Sequence, residues 1–133
     1  IKNSAPNRLI DSIQSLQADL HVLFDGYTPR AALLHGDLWS GNWGASAEGQ
    51  PIIFDPACYF GDHEADLAMM ELFGSPGPGF FDAYQATLPV DRGYTQRKIL
   101  YNLYHILNHF NLFGPGYAAQ AQNMTDQLLA EVK

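Results

Sequence analysis

Three polar side chains in the first half of the chain have the types and the spacing that phosphoryl transfer requires. Asp37 and Asn42 are five positions apart, and Asp55 directly follows the apolar run Ile52-Ile53-Phe54. The protein-kinase catalytic loop reads H-R-D-x-x-x-x-N, and the string HGDLWSGN keeps its Asp-to-Asn spacing with glycine in place of arginine. In that chemistry one carboxylate receives the acceptor hydroxyl proton, while a carboxamide and a second carboxylate hold magnesium. We therefore expect Asp37 to act as the base and Asn42 and Asp55 to bind Mg2+.

Simpler interpretations exist for each half of this pattern. Glycine and aspartate are ordinary turn residues, so His-Gly-Asp alone could be a turn and Ile-Ile-Phe-Asp alone a strand end. The two halves in this order, one predicted hairpin apart, favour the kinase interpretation. A divalent-metal hydrolase is a weaker alternative, because its candidate ligands match no compact spacing: His35, Asp37, Asp55 and His63.

A small β-hairpin is predicted to position the three side chains. Trp43-Gly44 and residues 51–54 have the composition of short strands, and a turn around Gly49 joins them. Such a hairpin returns the chain to its starting point. It would therefore bring Asp55 beside Asn42, as the proposed chemistry needs.

Helices are predicted around this hairpin, because apolar residues recur at steps of three and four over several segments. The predicted fold class is α+β, mostly α, with the hairpin carrying the catalytic and metal-binding loops. Ala31–Leu34 is predicted to be a short apolar lead into the first loop, and residues 56–63 an irregular connector. The predicted helices are residues 1–24, 64–73, a short helix that begins over 79–84 and is closed by Leu88-Pro89, 95–113 and 117–132.

Composition narrows the class of protein. The 133 residues are enough for one domain, 47% of them are hydrophobic, and no apolar stretch approaches the roughly twenty residues of a membrane span. The net charge of -7 argues against nucleic acid, whose phosphates require clustered lysine and arginine. Cys58 is the single cysteine and cannot form an internal disulfide. We expect a cytoplasmic protein with no nucleic-acid or membrane partner.

Several separated strings resemble the fructosamine (ketosamine) kinase family in the right order: HGDLWSGNWG, PIIFDPACYFGDHEADLAMMELFG, FFDAY and LYNLYHILNHFNLFG. That family belongs to the aminoglycoside-phosphotransferase-like branch of the protein-kinase-like fold. The resemblance implies ATP-dependent phosphorylation of a sugar hydroxyl on a glycated amine, the first step of deglycation. It also implies that residues 1–133 form a single domain, the C-terminal lobe of such an enzyme.

Five further residues are candidates for the site. Trp39 could flank the acceptor sugar or could be a wedge that holds the loop, and His35 is expected to organise the loop through a backbone hydrogen bond. Asp66 is either a helix cap or, by the resemblance, a brace for the catalytic loop. By the resemblance, Asn108 and His109 look like part of the ketosamine pocket; the alternative for His109 is a core histidine, and the pocket is favoured.

The sequence contains no G-x-G-x-x-G string, and none of its lysines lies in an apolar strand like that of V-A-I-K. We therefore expect these residues to be part of a longer kinase whose N-terminal nucleotide-binding lobe is absent from this chain, and the chain alone to be inactive. Two alternatives stay open: a non-catalytic module that binds glycated amines, and a phosphotransferase for aminoglycosides or other small metabolites. The sequence gives no indication of oligomeric state.

Overall fold

The computed structural model describes residues 4–133, which form two compact units. The first unit combines the chain up to Tyr27 with Thr95–Lys133, and the second is Thr28–Tyr94. The N-terminal residues of the predicted first helix, 1–3, lie outside the described residues. The described elements, in chain order, are α1 (Asn7–Asp19), a 3-10 helix (Leu20–Phe24), β1 (Ala31–Leu34), β2 (Trp43–Ala45), β3 (Pro51–Ile53), β4 (Tyr59–Asp62), α2 (Glu64–Leu72), α3 (Pro78–Thr87), α4 (Tyr94–Phe113), a 3-10 helix (Pro115–Tyr117) and α5 (Ala118–Val132).

The first unit is helical. Helix α1 packs against α5, and both present apolar residues at helical spacing to a common core. An ion pair of 2.8 Å between Arg8 and Asp126 joins the exposed sides of the same two helices. The predicted first helix changes to 3-10 geometry at Leu20, so its α-helical part is shorter than the apolar pattern suggested. The core residues of this unit are Leu9, Leu16, Leu23, Leu103, Ile106, Phe110, Ala121 and Leu128.

The second unit holds four short strands in two antiparallel pairs. The predicted hairpin is confirmed as the pair β2–β3, in which Trp43 lies opposite Ile53. Strand β1 pairs with β4, with Leu34 opposite Tyr59. The prediction of an irregular connector over residues 56–63 is therefore wrong for Tyr59–Asp62. This strand has only four residues and pairs with a segment distant in sequence, so local pattern gave little sign of it.

Helices α2 and α3 complete the second unit. Most of α2 is buried, and it supplies five of the unit's apolar core residues, at 9% exposure or less: Ala65, Leu67, Ala68, Met69 and Met70. Helix α3 contains no buried residue. Among residues 4–133 no helix is both long enough and apolar enough to cross a membrane. The prediction that residues 1–133 form a single C-terminal lobe stays a prediction.

Candidate active site

Two loops run side by side in the second unit. The Asp37 loop (residues 35–42) connects β1 to β2, and the Asp55 loop (residues 54–58) connects β3 to β4. Strand β1 pairs with β4, and β2 pairs with β3. Each loop therefore connects one strand of the β1–β4 pair to one strand of the β2–β3 pair. Two backbone hydrogen bonds tie the loops together near their ends. The Ala57 N–H donates to the His35 carbonyl at 2.8 Å, and the Phe54 N–H donates to the Asn42 carbonyl at 3.0 Å.

His35 links the two loops through its side chain. Its Nε2 lies 2.8 Å from the carbonyl oxygen of Phe54, which can only accept, so Nε2 carries the proton. The other ring nitrogen, Nδ1, accepts the N–H of Asp37 at 3.3 Å. Both nitrogens are therefore engaged in holding the backbone on either side of the site, the geometry that an organising role requires.

Asp66 holds the start of the Asp37 loop from the first turn of α2. One carboxylate oxygen accepts the His35 N–H at 2.7 Å, and the other accepts the Gly36 N–H at 2.9 Å. A carboxylate that accepts two backbone N–H groups makes charge-assisted hydrogen bonds, which are roughly twice as strong as neutral ones. The Asp66 side chain thus fixes the backbone directly before Asp37.

Gly36 allows the two loops to approach closely. Its φ is +81°, and a Cβ at this position would lie 2.1 Å from the Ala57 carbonyl oxygen. Any other L-residue would be strained at this φ and would also collide with backbone. From the sequence, Gly36 could be identified only as the replacement for arginine in the kinase motif or as an ordinary turn residue. The contact that requires glycine is made by a residue 21 positions later, which no local pattern could show.

Asn42 is buried and is fixed in one orientation by Asp37. Its Nδ2 donates to the Asp37 carbonyl oxygen at 2.8 Å and to the Asp37 carboxylate at 3.0 Å. Both partners are acceptors, so the amide must present its NH2 group to them. The amide oxygen of Asn42 therefore points away from Asp37. A carboxamide oxygen is one of the hard ligands that Mg2+ accepts.

Asp55 has the left-handed backbone conformation, with φ at +52°, and it is the only described residue besides glycines with positive φ. Aspartate tolerates this region better than most residues, and such conformations cluster at functional sites. The Asp55 side chain is exposed and the Asp37 side chain is half-buried. Asn42 and Asp55 supply the amide and carboxylate oxygens that Mg2+ accepts, and their role as its ligands stays a prediction.

The divalent-metal hydrolase alternative requires a cluster of metal-binding side chains. Within the part of the chain that the structure describes, no group of three or more His, Cys, Asp or Glu side chains is arranged to hold a metal ion. His63, one of the four residues considered for that cluster, has its Nδ1 within hydrogen-bond distance, 2.9 Å, of the Tyr84 hydroxyl oxygen.

Trp39 lies on the Asp37 loop with 40% of its surface exposed. Its six-membered ring covers Gly41 so closely that a Cβ on Gly41 would lie 2.3 Å from the ring. The next residue, Ser40, donates its hydroxyl proton to the Phe73 carbonyl at 2.7 Å and anchors the loop to the end of α2. Trp39 therefore both packs on its own loop and presents ring surface to solvent, so the structure is compatible with either role predicted for it.

Asn108 and His109 lie on α4 in the first unit. Asn108 is exposed. His109 donates from Nδ1 to the His105 carbonyl at 2.8 Å, and its ring centroid is 5.3 Å from each of the Phe113 and Tyr117 rings. His109 is therefore half-buried in an aromatic cluster. The role of Asn108 and His109 in an acceptor pocket stays a prediction.

Comparisons with known proteins give the family. Residues 2–131 match the family model described as fructosamine kinase. A probable ketoamine kinase of Synechocystis is 60% identical over 101 residues, which are 76% of this chain and 34% of that protein. The chloroplastic protein-ribulosamine 3-kinase of Oryza sativa subsp. indica is 43% identical over 125 residues, 94% of this chain and 36% of that protein.

A crystal structure from Thermobifida fusca, described as a "putative fructosamine-3-kinase", has 32% identity and a TM-score of 0.80, and the match covers 95% of this chain and 43% of that one. The predicted fold class is thereby confirmed. The chain spans about a third of the length of the curated relatives it matches. Because the family match covers nearly all of its residues, this chain belongs to the fructosamine kinase family.

Proposed function

We propose that this chain is the catalytic and acceptor lobe of a longer enzyme that transfers the γ-phosphoryl group of ATP to a sugar hydroxyl on a ketosamine. The observation that carries the proposal is the Asp37–Asn42 pair, held on a loop whose backbone is fixed from three sides by His35, Asp66 and the Asp55 loop. The names of the relatives support fructosamine- or ribulosamine-type substrates. A cytoplasmic location stays a prediction.

Asp37 is proposed to orient the acceptor hydroxyl and to receive its proton. The hydrogen bond from Asn42 occupies one oxygen of the Asp37 carboxylate and fixes its plane. The other oxygen is the atom proposed to face the hydroxyl.

Asn42, through its amide oxygen, and Asp55, through its carboxylate, would hold Mg2+. The ion would supply neutralisation of charge on the phosphates of ATP when bound. Trp39 is proposed to contact the sugar, and Asn108 and His109 to contribute to the acceptor pocket. The nucleotide-binding lobe is proposed to belong to the remainder of the enzyme, since the curated relatives are about three times as long as the matched segment.

The experiment compares Asp37→Ala with an exposed-aspartate control, Asp25→Ala, in the full-length gene product. Ketosamine-dependent turnover of ATP is measured together with binding of the ketosamine by calorimetry. Loss of a positioned base costs about 10^2- to 10^4-fold in rate. We therefore expect Asp37→Ala to slow turnover by about 10^2-fold or more, while ketosamine binding is retained. The control should behave as wild type.

Other results separate the alternatives. An equal loss of binding and turnover in Asp37→Ala would contradict the base assignment. If the full-length protein binds ketosamine but never consumes ATP, it is a binding module. If an aminoglycoside is phosphorylated and fructosyl- and ribulosyl-amines are not, the proposed acceptor class is wrong.

A further inference from the structure

A side-chain contact joins α3 to the beginning of α2. His63, the residue before α2, has its Nδ1 2.9 Å from the Tyr84 hydroxyl oxygen on α3. The two rings are also stacked, with centroids 5.9 Å apart and planes at 17°. No residue of α3 is fully buried, and this double contact attaches α3 to the residue directly before α2.

The end of α2 that Tyr84 contacts is the end that holds the catalytic loop. Asp66, in the first turn of α2, accepts the backbone N–H groups of His35 and Gly36. Burial raises the pKa of Tyr84, and the charges of Asp66, Asp62 and Glu64 raise it further, in that order. The hydroxyl therefore keeps its proton at neutral pH and remains a permanent hydrogen-bonding group beside these carboxylates.

We propose that Tyr84 is a positioning residue for phosphoryl transfer, which acts through His63 and the first turn of α2 to set the position of Asp66 and so of the backbone before Asp37. The inference rests on the proposed function, to which it adds a residue that does not touch the reacting atoms. The beginning of α2 contacts the Asp37 loop through Asp66, and the residue before it contacts Tyr84 of α3. We expect loss of the second contact to let this turn shift while the helix stays folded.

The chain offers a matched control at the other end of α2. The Tyr94 hydroxyl donates to Glu71 at 2.7 Å, near the C-terminus of the same helix. Tyr84→Phe and Tyr94→Phe each delete one hydroxyl that bonds to α2 or its flank, and each keeps the aromatic ring. Only the first deletion is at the end that carries Asp66.

The experiment uses the full-length protein and two measurements. The first is amide hydrogen exchange at His35 and Gly36, relative to Met69 in the buried part of α2, which corrects for any loss of overall stability. Removal of one net hydrogen bond corresponds to about a fivefold change in a local equilibrium. We expect exchange at both loop amides to rise about fivefold in Tyr84→Phe relative to Met69, and to be unchanged in Tyr94→Phe.

The second measurement is steady-state kinetics with ATP and a fructosyl-amine. We expect Tyr84→Phe to lower kcat about fivefold with the KM values kept, and Tyr94→Phe to leave kcat as in wild type. Equal effects of the two variants in both measurements would overturn the inference. If the wild type does not phosphorylate the ketosamine, the proposed function fails, and the exchange rates alone then decide whether Tyr84 positions the loop.

Discussion

Replacement of Gly36 by alanine tests whether the close approach of the two loops is what builds the site. Gly36 has a φ of +81°, and the new Cβ would lie 2.1 Å from the Ala57 carbonyl oxygen and 2.9 Å from its carbonyl carbon. Gly49, in the hairpin turn, has a nearly identical φ of +79° but nothing within 4 Å of its Cβ position. Comparison of Gly36→Ala with Gly49→Ala therefore separates the effect of backbone strain from the effect of the collision with Ala57.

The magnitudes follow from these contacts. A left-handed conformation costs a non-glycine residue about 1 to 2 kcal/mol, and this term applies equally to Gly36→Ala and Gly49→Ala. The collision partner at Gly36 is backbone, so the loops must separate by about 1 Å, which weakens the hydrogen bond between Ala57 and His35 by about 1 kcal/mol. We therefore expect Gly36→Ala to lower the free energy of unfolding by about 2 to 3 kcal/mol, and Gly49→Ala by about 1 to 2 kcal/mol.

The effect on activity should differ more than the effect on stability. A shift of about 1 Å in a catalytic group can cost about a hundredfold in rate, because the reacting atoms lose alignment. The free energy of unfolding of both full-length variants is measured by urea unfolding. Ketosamine-dependent turnover is measured separately, in conditions where both variants are folded. We expect Gly36→Ala to lose about a hundredfold in kcat and Gly49→Ala to retain wild-type kcat.

Equal stability and equal turnover in the two alanine variants would refute this reasoning, because it would mean that the Asp37 and Asp55 loops need not approach as closely as the structure has them. Loss of turnover in Gly49→Ala as large as in Gly36→Ala would also contradict it, since Gly49 touches no part of the site.

Two further predictions concern alkaline pH and the acceptor contact. The pKa of Tyr94 is raised by burial, by its hydrogen bond to Glu71 and by the charge of Glu71. The folded state therefore favours the neutral phenol more than the unfolded state does. The stability that this difference contributes is complete below the unfolded pKa of about 10 and is lost as pH rises above it. Urea unfolding should therefore show that the wild type loses more free energy of unfolding between about pH 9 and 12 than Tyr94→Phe does, and parallel curves would contradict the shift. Gly41→Ala should displace the Trp39 ring and raise the KM for the ketosamine by about three- to tenfold, whereas Gly44→Ala, with nothing within 4 Å of its Cβ position, should leave it unchanged. An equal rise of the KM in both glycine variants would contradict the predicted contact between Trp39 and the acceptor.

The local part of the site could be predicted from sequence. The strings around Asp37, Asn42 and Asp55 carry their spacing within a few residues, and the hairpin that returns Asp55 toward Asn42 is signalled by two apolar runs with a glycine turn between them. Helices α4 and α5 were also predicted closely, because hydrophobic periodicity over many residues is a strong signal.

The contacts that fix the loops could not be predicted in this way. Strand β4 pairs with β1 across 24 intervening residues, and a four-residue strand has too little pattern to be separated from a connector. The need for glycine at position 36 depends on Ala57, and the attachment of Tyr84 to His63 depends on how α3 returns to α2. Each of these depends on tertiary packing, which local propensity does not describe.

The most direct test of the central claim follows the phosphate itself. The full-length protein is incubated with ATP labelled in the γ-phosphate, a fructosyl-amine and Mg2+, with and without excess chelator, and the labelled product is identified by mass spectrometry. We expect the label to appear on a hydroxyl of the fructosyl-amine, chelator to stop the transfer, and Asp37→Ala to slow the transfer by about 10^2-fold or more. Label found only in inorganic phosphate, or transfer at the wild-type rate in Asp37→Ala, would contradict the proposed function.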